Sequence, residues 1–137
     1  MARIGPFGYA AEMDERLRPI ERLQCSQEFR DVFDRGRCFR SRHLRVHYLP
    51  SGREFSRLGL VVTRKLGNAV ARKGVKRYLR EVYRRQKALI PWTMDVILLP
   101  RGEPRSHGEY LEAFLAFLKE AALCDPARRP MVGENAS

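Results

Sequence analysis

Between residues 68 and 89 the chain carries eight Lys or Arg residues and a single acid, Glu81. At ~100° per residue on an α-helix, Ala71, Leu79, Val82, Gln86 and Leu89 fall within about 40° of Val75 and make an apolar stripe. Lys76, Lys87, Arg80, Lys73, Arg84 and Arg77 fall on the far side, between about 100° and 200°, with Arg72 bordering them near 60°. The chemistry suited to such an arc is recognition of a polyanion. The planar fork of Arg pairs bidentately with phosphate and stacks on exposed bases. Arg64 and Lys65 add charge just before the helix, where unpaired N–H groups and the helix dipole also attract anions, and Asn68 is placed to cap it.

A run of cations can be no more than a solvated face, but such a face interleaves both signs. Glu81 lies off the arc, within i, i+4 reach of Arg85, so the like-charged pairs Arg72/Lys76, Lys76/Arg80, Lys73/Arg77 and Arg80/Arg84 each cost the isolated helix a few tenths of a kcal/mol. An anionic partner would offset that repulsion. An anionic membrane surface would serve too, yet a membrane helix needs its apolar stripe free to enter lipid, and this stripe is needed to cover a sheet. Protein-borne catalysis finds no support: no Ser/His/Asp, Cys/His or paired-carboxylate arrangement is recognisable. His43 and His47 would share a strand face, but no third ligand stands at zinc spacing.

The whole composition agrees with a basic binding protein. Among 137 residues, 27 Lys and Arg face 16 acids, giving a formal charge of +11 and a pI near 10.3. Such a field draws in nucleic acid and opposes self-association. Hydrophobic residues at 44% and charged residues at 31% fit one globular domain, long enough to bury roughly two-thirds of its unfolded surface around one core. Cys25, Cys38 and Cys124 form no CxxC pair, and an odd count suits a reducing compartment. No stretch approaches the ~20 apolar residues of a membrane span or a signal-peptide core, so the cytoplasm is the expected location.

The elements that must position the arc follow from periodicity. Residues 1–22 mix Gly, Pro and charges and are expected as a loose arm, residues 23–123 as one α+β domain, and residues 124–137 as a disordered tail. Ser26 is a candidate N-cap for a short helix whose Phe29, Val32 and Phe33 share one face and which stops at Gly36. A short strand over 37–40 precedes one in which Leu44, Val46 and Tyr48 alternate with Arg45, His47 and Leu49. The β-branched run over 58–63 predicts a second long strand, antiparallel to the first across a short loop. The basic helix, about 33 Å long, comes next, closed by Pro91. A buried strand over 94–99 follows, then a helix opened by a Ser106/Glu109 capping box, with Leu111, Phe114, Leu115 and Leu118 facing the core.

The segment RLGLVVTRKLGNAVARKGVKRYLRE, residues 57–81, resembles the central segment of the bacterial ribonuclease P protein family. The Gly67-Asn68-Ala69-Val70 lead-in, Arg72, Lys76, Arg77 and Arg80 match the family pattern. Lys73 and Gly74 depart from it, standing where the Arg-Asn-Arg signature carries Asn and its second Arg. QEFRDVF with Gly36 resembles the family's first helix and DVILLPR its last strand, so the likeness spans roughly residues 22–120. The resemblance implies an α-β-β-β-α-β-α two-layer sandwich on a mixed four-stranded sheet, with a left-handed crossover around the basic helix. It also implies an RNA partner, the ribonuclease P RNA, met through Arg64, Lys65, Asn68, Arg72, Lys73, Lys76, Arg77, Arg80 and Arg84. Precursor tRNA is the second implied partner, its single-stranded 5′ leader lying in a cleft between the first helix and the sheet, with Phe29, Phe33 and His47 against it. By the same likeness the chemistry, Mg²⁺-assisted phosphodiester hydrolysis that leaves a 5′-phosphate on tRNA, belongs to the RNA, and the protein binds no cofactor of its own. No DNA or membrane partner is expected. A structural or ribosome-associated RNA-binding protein is the alternative, sharing the basic helix but lacking the leader cleft. From the residues alone, Phe29 and Phe33 are equally suited to core packing.

Overall fold

The computed structural model describes residues 19–124; the expected disorder of the tail after Cys124 and all but the last four residues of the expected arm lie outside them. Those four residues are not loose. Pro19–Glu21 form a 3₁₀ turn, Arg22 bridges to Leu58, and the Leu23 N–H donates to the Leu58 carbonyl at 3.0 Å.

The element order is α1 (Ser26–Arg35), β1 (Arg37–Arg40), β2 (Leu44–Pro50), β3 (Arg57–Leu60), α2 (Ala69–Gln86), β4 (Met94–Pro100) and α3 (His107–Leu123). This is the expected α+β order on a mixed four-stranded sheet, with strands arranged β1-β2-β4-β3. The pairing of β3 corrects the sequence reading. It does not lie antiparallel beside β2 but parallel to β4, which sits between them. The chain after β2 must therefore cross to the far side of β4, the central strand, which is nearly buried throughout. Regular pairing in β3 also ends at Leu60, short of the expected Thr63, because a 3₁₀ turn over Arg64–Leu66 leads into α2.

Two apolar clusters lie on opposite faces of the sheet. The larger joins Val46, Tyr48, Val96 and Leu98 to α2 and α3; the smaller sets Leu23 and Val32 against Ile97, with Phe29, Leu49 and Val61 at its margin. Two helices thus form the second layer, and α1 crosses the other face, leaving part of it open.

Helix α1 is capped from Cys25 rather than Ser26. The Glu28 carboxylate reaches back to accept from the backbone N–H groups of Gln24 and Cys25, the half of a capping box that the third helical residue supplies. Gly36 does end α1, with an extended backbone; a Cβ there would lie 2.4 Å from the Tyr48 carbonyl oxygen, so close approach rather than a turn demands glycine.

In α2 the buried residues are Val75, Leu79, Val82 and Tyr83. Leu89, expected on the same stripe, is 60% exposed, since the helix ends at Gln86 and the tighter turn over Lys87–Leu89 breaks the phase. In α3 the core face is Tyr110, Phe114, Phe117, Leu118 and Ala121, while Leu111 is half-buried and Leu115 exposed. The helix is turned so that its rings stack against others: Phe117 meets Tyr48 at 5.1 Å and Phe114 meets Tyr83 at 6.0 Å between centroids. The Ser106/Glu109 capping box forms as read. Among the described residues no helix is long and apolar enough to cross a membrane.

Candidate nucleic-acid interface

Asn68 Oδ1 accepts the Ala71 N–H at 2.9 Å, so the side chain that opens α2 is engaged in capping it. No acid occupies the first turn, leaving the positive end of the helix beside exposed Arg64 and Lys65. Lys73, Lys76 and Arg77 are exposed, and Arg72 and Arg80 are half-buried. Among the described residues none of these seven cations has an acidic partner. The buried Nε of Arg72 has no hydrogen-bond partner. Arg84 differs: it pairs with Glu81, which also accepts from Arg85 Nε at 3.0 Å. Burial raises the Glu81 pKa, and these two arginines outweigh it and hold the carboxyl below its ordinary value. Lys87 likewise leaves the free arc, bonded to the buried Glu21 at 3.0 Å. The counter-charges thus sit at the C-terminal end of α2, and the unneutralised stretch runs from Arg64 to Arg80. Nothing lies within 4 Å of where a Cβ on Gly74 would be, so no packing requires glycine there.

A groove of about 250 Å³ opens where α2 approaches α1, lined by Arg22, Leu23, Phe29, Leu58, Gly59, Leu60, Lys76 and Arg80. Three cations and one aromatic edge therefore border one space. Burial, and next the charge of Arg80, lower the Arg22 pKa; an anion between these guanidinium groups would relieve the repulsion. Phe29 lies over the strand at Gly59, where a Cβ would come 2.6 Å from its ring and 2.9 Å from Leu23 Cδ1. Gly59→Ala is accordingly expected to push Phe29 outward and destabilise the fold by about 1–3 kcal/mol, read by urea denaturation. An unchanged midpoint would mean that the ring yields freely.

One turn on, Phe33 is 40% exposed and meets His47 edge-on, with ring centroids 4.7 Å apart. Burial, then the charges of Arg45 and Arg40, lower the His47 pKa, leaving a neutral ring at pH 7. Of the three cleft residues read from the sequence, Phe33 and His47 are brought together, while Phe29 both lines the groove and packs in the smaller core cluster. His43 and His47 do not converge: His43 approaches Glu109 at 3.8 Å, whereas His47 Nε2 faces Cys38 Sγ at 3.8 Å.

Sequence reasoning missed Arg22 and the anchor beneath α1. Arg57, 8% exposed, forms a two-pronged pair with Asp95, Nε to Oδ1 at 2.9 Å and Nη2 to Oδ2 at 2.8 Å, and extends Nη1 to Glu28 Oε2 at 2.8 Å. Glycine within a strand signals close approach, and that cue was available at Gly59. A cation at the start of an apolar strand carries no comparable cue.

Residues 17–122 match the family described as Ribonuclease P. A ribonuclease P protein component from Azoarcus sp. (strain BH72) is 38% identical over 114 residues, covering 82% of this chain and 89% of the relative. One from Thermotoga maritima is 37% identical over 89 residues, covering 65% and 76%. Among solved structures, the RNase P protein from Thermotoga maritima superposes with a TM-score of 0.66 at 34% identity, over 73% of this chain and 96% of that one. The Staphylococcus aureus RNase P protein gives 0.67 at 27% identity, over 77% and 98%. Alike in sequence and in backbone to these proteins over most of its length, the chain belongs to the ribonuclease P protein family.

Proposed function

We propose that this protein component binds the ribonuclease P RNA through the cations from Arg64 to Arg80, and holds the 5′ leader of precursor tRNA against Phe29, Phe33 and His47. Membership of the family carries the subunit role in tRNA 5′ processing and the RNA partner; the assignment of surfaces and of precursor tRNA is our reading. The observation that carries it is the groove in which Phe29 meets Arg22, Lys76 and Arg80. A single strand needs cations for its backbone and rings for its bases, and here the two adjoin.

Catalysis belongs to the RNA in this reading. The lining of the groove beside α2 has no carboxylate or imidazole, and His47, the one imidazole at the proposed cleft, is engaged by the Phe33 ring and Cys38 Sγ, with no carboxylate contact among the described residues to orient it as a base. Mg²⁺, a hard cation suited to phosphate and water oxygens, enters with the RNA of the assembled enzyme.

Phe33→Ala tests the leader assignment, because this exposed ring contributes little to the core. Base stacking on an aromatic side chain is worth ~1–3 kcal/mol. The variant, assembled with a bacterial ribonuclease P RNA, should bind leader-bearing precursor tRNA roughly 5- to 100-fold more weakly, with binding to mature tRNA unchanged. Equal loss for both would remove the leader from this cleft and favour a purely structural RNA-binding role.

A further inference from the structure

The sheet face that carries His47 continues past α1 and stays open. Register pairs Cys38 with His47 and, two residues along, Arg40 with Arg45. Side chains alternate along a strand, so all four emerge on one face; the Cys38–His47 contact places the first pair there. Leu99 of β4 lies beside Arg45. Arg40 is exposed and Arg45 half-buried, and among the described residues neither has an acidic partner.

Like charges directly opposite on adjacent strands repel. Cations on an edge strand can serve to block strand-to-strand aggregation, and β1 is an edge. That purpose does not account for Arg45, which lies on β2 between β1 and β4. The pair also stands about 6.7 Å along the strands from the row that bears His47, two residues of rise. A strand whose base rests on Phe33 and His47 would bring its next phosphates over these guanidinium groups, which are shaped to take them.

We propose that Arg40 and Arg45 form a phosphate clamp for single-stranded RNA next to the Phe33–His47 pair, making affinity depend on how far the leader extends. This rests on the leader reading above and deepens it. The clamp recognises backbone and not bases, so it senses leader length whatever the sequence.

The test uses enzyme assembled with a bacterial ribonuclease P RNA and precursor tRNAs with leaders of increasing length. With the native protein, affinity should rise with length and then level off. With Arg40→Ala plus Arg45→Ala, the last part of that rise should vanish: mature tRNA and the shortest leaders bind as before, and long leaders bind roughly 5- to 20-fold more weakly. The slope of log K against log salt should become shallower by about 1.4 for long leaders, two single-strand phosphates' worth, and Arg40→Lys plus Arg45→Lys should restore most of it. Matching length profiles for the native and Ala proteins would overturn the clamp and leave the cleft reading intact. Equal weakening for mature tRNA would also overturn it, by placing the pair on the catalytic RNA. A native protein indifferent to leader length would overturn the clamp and the leader reading together.

Discussion

Asp95→Ala is expected to destabilise the folded chain by about 3–5 kcal/mol, a large fraction of the roughly 5–15 kcal/mol that holds a domain folded. Arg57 and Asp95 have side chains 10% and 9% exposed, and both oxygens of Asp95 accept from the guanidinium. Removing Asp95 leaves a buried cation with only Glu28, whose single contact comes from one remaining nitrogen. The bond to Asp95, more than any other neighbour, raises the Arg57 pKa, so the guanidinium cannot escape the penalty by losing its proton. The midpoint of thermal unfolding should drop by roughly 15–30 °C. Replacing both members, with Arg57→Met and Asp95→Leu, should cost less than Asp95→Ala alone, since no charge is then stranded. The network also ties α1 to β3 and β4, so partly stable variants should lose leader discrimination before they lose affinity for the catalytic RNA. A cost below about 1 kcal/mol for Asp95→Ala would show that solvent reaches Arg57 and that the anchor contributes little.

The second large effect is expected on α2. Lys76→Glu with Arg77→Glu reverses two exposed cations in the stretch that lacks counter-charges, removing two phosphate contacts and adding two repulsions. Affinity for ribonuclease P RNA should fall about 100-fold near 150 mM salt. If about six phosphates meet the native helix, log K should fall with log salt at a slope near −4 to −5, and the variant's slope should be shallower by at least about 1.5. Arg84→Ala serves as the internal contrast. Its guanidinium is engaged by Glu81, so its loss should matter much less. A native affinity insensitive to salt, or equal effects at Arg84 and Lys76, would contradict the electrostatic account.

The basic face was legible because its signal is local. The phases of Val75, Leu79 and Val82 and of the cations are fixed by one helical period within one uninterrupted segment. The lead-in cap at Asn68 and the alternation in β2 were legible for the same reason. What failed required knowledge of a neighbour. Nothing in residues 58–63 tells whether the next strand in space is β2 or β4, because either supplies an apolar partner, and the pairing is decided by where the chain goes after α2. Leu115 and Phe117 compete for the core on one helix, and the choice rests on rings contributed by β1, β2 and α2. Arg57 and Asp95 lie 38 residues apart, so each alone reads as a strand-end charge. The cleft was half legible: the spacing of Phe29 and Phe33 places both on one side of α1, but only the fold shows one ring packed over Gly59 and the other open beside His47.

The most direct test of the central claim is cleavage of a 5′-labelled precursor tRNA by a bacterial ribonuclease P RNA at low Mg²⁺, with and without this protein. The account predicts strong stimulation of cleavage at the mature 5′ end, despite Lys73 and Gly74 in place of the family's Asn and Arg. A folded, RNA-binding sample that leaves the rate and position of cleavage unchanged would contradict it.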